Sequence, residues 1–194
     1  MKHLARTFLF FLLLLSNHSF SQSIAVNSTD KVTGARVITT RSTKGGVLNL
    51  DESIVRSGAV FFSAGYLSSV AAGKVKGSYF IELEIVHNDN RLGCLPEKTG
   101  KIILTLRDGS EMECFQISPS DCDKTAFKAA YALMKRGGTD AEMKANFEKL
   151  STIDITGIKI QTSEKEINFK VKTNSRELIK KHFLLVDKTV KAGK

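Results

Sequence analysis

The sequence predicts a single α+β domain. Its expected form is a largely antiparallel sheet of about seven strands, able to curl into a barrel, with two short helices before the last two strands and an amphipathic helix at the C-terminus. Three observations predict it. Tyr79, Ile81, Leu83 and Ile85 alternate with Glu82 and Glu84, which is the period of a half-buried antiparallel strand. Asp108-Gly109 stands between two β-rich runs, a hairpin signal. Ile179, Phe183, Val186 and Val190 recur at helical spacing near the end of the chain. Strand patterns come first and helix patterns gather later, so an alternating α/β order is excluded.

The first segment reads as a leader rather than as fold. Lys2 and Arg6 precede an unbroken apolar run from Phe8 to Leu15, and Ser19 and Ser21 supply small residues before a cut at Gln22. Residues 1–21 are therefore expected to be a signal peptide, and 22–194 one globular domain exported to the periplasm or the exterior. The run is too short to span a bilayer, and no later segment is long and apolar enough to do so. Hydrophobic residues at 42% and charged residues at 25% exclude wholesale disorder.

The elements follow in order. Ser23 to Asp30 is polar and expected to fray. Ala35 to Thr40 is rich in β-branched residues and reads as a strand. Lys44-Gly45-Gly46 reads as a turn. Gly58 to Val70 reads as a long strand bent near Gly65, and Gly73 to Gly77 as the turn before the strand Ser78 to Val86. Lys101 to Leu106 and Glu111 to Ile117 flank Asp108-Gly109. A two-residue hairpin loop would set Ile103 opposite Cys114.

Phe127, Ala130, Tyr131 and Met134 then fall at i, i+3, i+4 and i+7, predicting a helix that stops at Gly137-Gly138. Thr139 and Glu142 form a capping box for a second helix with Met143, Phe147 and Leu150 buried. In the next strand Ile153 and Ile155 have the opposite parity to Ile158 and Ile160, so a bulge is expected near Thr156-Gly157. Ser163-Glu164 turns into a strand with Ile167, Phe169 and Val171 inward. Asn174 and Glu177 are expected to cap the last helix.

There are three cysteines, Cys94, Cys114 and Cys122. Extending the hairpin register brings residue 122 to within one residue of Cys94, so Cys94–Cys122 is the expected disulfide and Cys114 a buried spare thiol.

Sequence signals for catalysis are weak. No Gly-x-Ser-x-Gly elbow, phosphate-binding loop or zinc spacing occurs. His87 with Cys94 is the sharpest enzymatic pairing and would make a hydrolase, but both also read as structural. His182 reads as a helix-packing histidine. His87, Asp89, Asp121 and Asp123 could approach one another, yet their spacing matches no calcium loop, so no metal or other cofactor is expected.

Charge is the remaining signal. The formal net charge is +9, and from Lys159 to Lys194 ten basic residues face four acids. Lys165, Lys170, Lys172, Arg176, Lys180 and Lys181 are the candidate binding residues for an acidic glycan or lipid headgroups. Aromatic residues do not interleave with them, so nucleic acid is not expected. The leading expectation is a non-catalytic binding or structural module of the cell envelope with an envelope protein as its partner. The anionic glycan or lipid is the alternative.

Several short runs also carry a resemblance. The leader end Ser19-Phe20-Ser21-Gln22, then Asp30 to Gly34, Tyr79 to Leu83, Lys101 to Gly109, Phe147 to Leu150 and Ile158 to Ile160 resemble small exported proteins of unknown function of the Bacteroidetes type. The resemblance implies export and one domain, and it carries no catalytic residues over.

Overall fold

A computed structural model describes residues 22–47, 58–71, 74–87, 92–96, 99–122 and 126–193. The expected signal peptide, residues 1–21, lies outside them. The chain is α+β. Among the described residues there are eleven strands and two helices: β1 (Ile24–Thr29), β2 (Arg36–Thr40), β3 (Thr43–Val47), β4 (Ala59–Ala71), β5 (Lys74–Val86), β6 (Lys101–Leu106), β7 (Glu111–Gln116), β8 (Asp121–Cys122), β9 (Ala126–Ala132), α1 (Asp140–Thr152), β10 (Ile155–Gln161), β11 (Glu166–Lys170) and α2 (Thr173–Ala192). All belong to one antiparallel sheet ordered β1-β2-β4-β5-β9-β7-β6-β10-β11, with β3 beside β4 and β8 beside β9.

The spine of the sheet is the hairpin of β4 and β5, paired without interruption from Ala59↔Val86 to Ala71↔Lys74. The expected bend at Gly65 is absent from this pairing. The Phe80 ring lies where a Gly65 side chain would point, 2.1 Å from an added Cβ. Glycine is thus required for a close approach across the ladder, and the pairing runs through it without a register shift. Residues 74–77, expected in a turn, extend β5. The expected turn at Lys44-Gly45-Gly46 is strand as well: the Phe62 ring covers Gly45, and the extra residue is taken up by a bulge between Lys44 and Gly46. The polar segment expected to fray is β1, tied to β2 along its length.

The sheet curls but stays open. α2 packs on β2, β3 and β4 and also on β10, far along the strand order. Phe62 of β4 and Phe169 of β11 come within 6.3 Å, centroid to centroid, across that curl. Strands β1 and β11 are nevertheless its two edges, so the expected barrel does not close, and the strand count exceeds seven.

The largest correction is β9. Residues 126–132 were expected as part of a helix and form a strand between β5 and β7, with Ala129, Ala130, Tyr131 and Ala132 all buried. A strand covered on both faces has no polar alternation to reveal it, and its apolar residues fall at helical spacing as easily as at any other. Among the described residues only one helix, α1, therefore precedes the last two strands.

The hairpin of β6 and β7 forms one residue out of the expected register. Cys114 faces Ile102, not Ile103. The loop has three residues, closed by Gly109 in the left-handed region (φ 83°) and by Asp108, whose carboxylate accepts from both Ser110 N and Ser110 Oγ. That pattern of hydrogen bonds also lowers the Asp108 pKa.

Other expectations hold in part. Thr139 caps α1 by accepting from Glu142 N at 3.1 Å, and Met143, Phe147 and Leu150 are its buried stripe. The Glu142 carboxylate accepts from Lys135 N, so only half of a capping box forms. The bulge in β10 lies at Thr156: Ile155 pairs with Leu106 and Gly157 with Thr105. The cap of α2 differs, because the helix begins at Thr173 and Lys172, not Asn174, is its N-cap.

Candidate functional site

The bulge shapes a surface groove in which positive charge is concentrated. Thr156 is the extra residue, and its hydroxyl donates to Thr105 O at 3.1 Å. Beyond it Gly157 and Lys159 share the sheet face that carries Thr105 on β6 and Asn168 and Lys170 on β11, while Ile158 and Ile160 turn into the core. Gly157 sits between Thr105 and Lys170 in register and contributes no side chain. A groove of about 1030 Å³ opens there and runs on to the start of α2. That volume suits a small-molecule or glycan-sized ligand.

Four cations line the groove: Lys159, Lys170, Lys172 and Arg176. Among the described residues no acid lines it, and the other polar groups in it are Thr105, Thr156, Asn168 and Thr173. Among the described residues none of the four cations is in an ion pair. Arg176 is oriented by its own strand end, with Nε donating to Val171 O at 3.2 Å. Its η nitrogens make no protein hydrogen bond among the described residues. Lys172 is the N-cap of α2, has no side-chain cap bond, and is followed by a first turn without an acid. The helix dipole and the first-turn amides therefore add to the positive field at that end of the groove.

The structure brings together three of the six basic residues expected from the sequence, Lys170, Lys172 and Arg176, and separates the others. Lys180 pairs with Asp154 at 2.8 Å, and Asp154 also meets Arg107 at 3.5 Å. The hydrogen bond from Lys180, followed by the field of Lys180, Arg107 and Arg176, holds the Asp154 carboxyl below its usual pKa. Lys181 pairs with Glu177 one turn away. Lys165 is half-buried in the turn between β10 and β11, where its carbonyl accepts from Thr162 N at 2.8 Å. Lys159 was not singled out by sequence reasoning. The available signal was its place two residues after a glycine at a parity switch, which sets it outward beside β11.

The catalytic candidates lie elsewhere. His87 is 4% exposed, with its ring 5.2 Å from that of Phe127. Cys94 is joined to the turn after β10: its N donates to Ser163 Oγ at 3.1 Å and its carbonyl accepts from Ser163 N at 2.7 Å. Cys114 is a free thiol, fully buried in β7, and burial pushes its pKa far up. The side chain of Cys122 lies outside the described residues, and so do Asp89, Asp123 and the side chain of Asp121. Ser120 Oγ donates to Leu95 O at 2.8 Å, which sets the segment leading to Cys122 beside the one carrying Cys94. Among the described residues no group of three His, Cys, Asp or Glu side chains is placed to hold a metal, and no helix is long and apolar enough to cross a membrane.

Compared with family models, curated proteins and solved structures, the chain matches none.

Proposed function

We propose that this chain is an exported, non-catalytic binding module of the cell envelope, and that its groove holds an anionic group, the carboxylate or phosphate of an acidic glycan or a lipid headgroup. One observation carries this reading: among the described residues, four cations without ion-pair partners line a groove of about 1030 Å³ that has no acid in its lining. Elsewhere on the basic C-terminal region, lysines such as Lys180 and Lys181 are neutralised by acids. Cations left unpaired around a concavity repel one another, and an anion that enters relieves this while gaining charge-assisted hydrogen bonds. Arg176 suits a bidentate contact with a planar carboxylate or a phosphate. Export rests on the pattern of residues 1–21 and on the resemblance to exported proteins.

Two probes test the reading. Affinity electrophoresis through polygalacturonate reports a carboxylate glycan, and flotation with phosphatidylglycerol vesicles against phosphatidylcholine vesicles reports a phosphate headgroup. Binding to one of them is expected to weaken as salt rises and to be abolished by Lys172→Glu with Arg176→Glu. Reversal of the paired Lys181 to Glu is expected to change it little. Equal effects from both sets of reversals would mean that diffuse charge, not the groove, does the binding, and indifference to all of them would overturn the proposal.

A further inference from the structure

Among the described residues β11 pairs with β10 alone, and its outer edge is open. Val171 N donates to Thr156 O and Thr162 N donates to Lys165 O. In an antiparallel ladder main-chain groups alternate in direction, so residues 165, 167, 169 and 171 bond toward β10. Glu166, Asn168 and Lys170 therefore turn their N–H and C=O groups away from the sheet, and among the described residues those groups have no partner. The β10–β11 register runs without a shift from Gly157↔Lys170 to Gln161↔Glu166, so no bulge twists this edge away. The opposite edge, β1, does carry a bulge, between Ile24 and Val26. No proline interrupts β11. An edge that is regular and unpaired is a template for another strand.

The five residues Glu166-Ile167-Asn168-Phe169-Lys170 are self-complementary in the antiparallel sense. With a two-fold axis at Asn168, Glu166 falls opposite Lys170 of the second copy, Asn168 opposite its equivalent, and Lys170 opposite Glu166. Those are the three residues whose main-chain groups face outward, so each pair exchanges both hydrogen bonds. The side chains of Glu166 and Lys170 also share a sheet face, where opposite charges directly across a ladder attract.

We propose that the protein forms a symmetric dimer in which β11 pairs antiparallel with β11 of a second copy, centred on Asn168. The occupant is a second copy because the strand's charge pattern matches its own reverse. The interface is isologous and closes after two subunits. A five-residue ladder lies at the low end of interface sizes, so association is weak and depends on concentration. The axis stands across the sheet, so both grooves open on the same side of the dimer.

Sedimentation velocity of the purified protein, without any anionic ligand, from micromolar to millimolar concentration and at physiological salt, tests the dimer independently of the groove. A reversible monomer–dimer equilibrium is expected. Glu166→Lys and Lys170→Glu each set like charges opposite one another twice per dimer and are expected to weaken it by about tenfold. The double variant E166K/K170E restores the complement and is expected to recover the dimer. Asn168→Pro removes an N–H that its own sheet does not use and is expected to leave a monomer, with folding checked by thermal melting. A monomer throughout the range, or a dimer indifferent to the single reversals and to Asn168→Pro, would overturn the proposal.

Discussion

His182 Nδ1 lies 2.8 Å from Thr40 Oγ1, and this contact determines the state of the imidazole. The Thr40 hydroxyl donates to Ala64 O and accepts from Ala64 N, so its one proton is committed. With that proton on Ala64 O, His182 donates from Nδ1 and its Nε2 accepts the Thr43 hydroxyl at 2.7 Å. The ring is neutral, 1% exposed, and joins α2 to β2 and to the start of β3.

Burial lowers the His182 pKa from 6.5 to about 4. Between those values the unfolded chain takes up a proton that the folded chain refuses. The contribution of the neutral ring is therefore complete above pH 6.5, falls as pH drops toward 4, and levels off below. Its size is about 3 kcal/mol, from the energy of one pKa unit. His182→Asn keeps a donor toward Thr40 but does not titrate. Denaturant unfolding across this range is expected to show a variant less stable than wild type at neutral pH whose curve converges on wild type by pH 4. Parallel curves would contradict the buried neutral imidazole.

The cysteines give a covalent test. Cys94–Cys122 is expected as the only disulfide, with Cys114 as a thiol that alkylates only after denaturation. Peptide mapping without reduction checks both. A bridge closing a loop of this length is expected to stabilise the fold by about 3 kcal/mol, so Cys94→Ser with Cys122→Ser should melt well below wild type. Three alkylatable thiols in the denatured, unreduced protein would contradict the pairing.

What was legible in the sequence follows from how each element is covered. β5 and β11 have one face in the core and one outside, so Ile81, Leu83 and Ile85, and Ile167 and Phe169, alternate visibly with polar residues. The bulge at Thr156 was legible because it flips parity. β9 was not, because both its faces are buried from Ala129 to Ala132. The hairpin was legible but its register was not, since Asp108 makes side-chain bonds to Ser110 that belong to a three-residue loop. The groove was half legible. Lys170, Lys172 and Arg176 are near in sequence and in space, but Lys159 reaches them only through the pairing of β10 with β11. Lys180 and Lys181 are just as near in sequence and are already paired with acids.

Gly157 tests the shape of the groove apart from its charge. An added Cβ there meets its nearest neighbours, Phe169 O and the Thr105 side chain, at 3.6 Å, an ordinary contact. Gly157→Leu is therefore expected to fold with a stability change within about 1 kcal/mol, since glycine in a strand interior is itself unfavourable. It places a side chain on the groove floor and is expected to reduce anion binding with all four cations intact. Unchanged binding would place the ligand elsewhere.

The most direct measurement is Lys172→Asp. Position 172 is the N-cap of α2, where lysine makes no side-chain bond. Aspartate there can accept from first-turn amides and complement the dipole, so α2 is expected to gain about 1 kcal/mol. The same substitution puts a negative charge in the groove. Melting and polyanion binding, read on one sample, are expected to move in opposite directions: a higher melting temperature and binding reduced or lost. A stabilised variant that binds as wild type would contradict the anion-binding role of the groove.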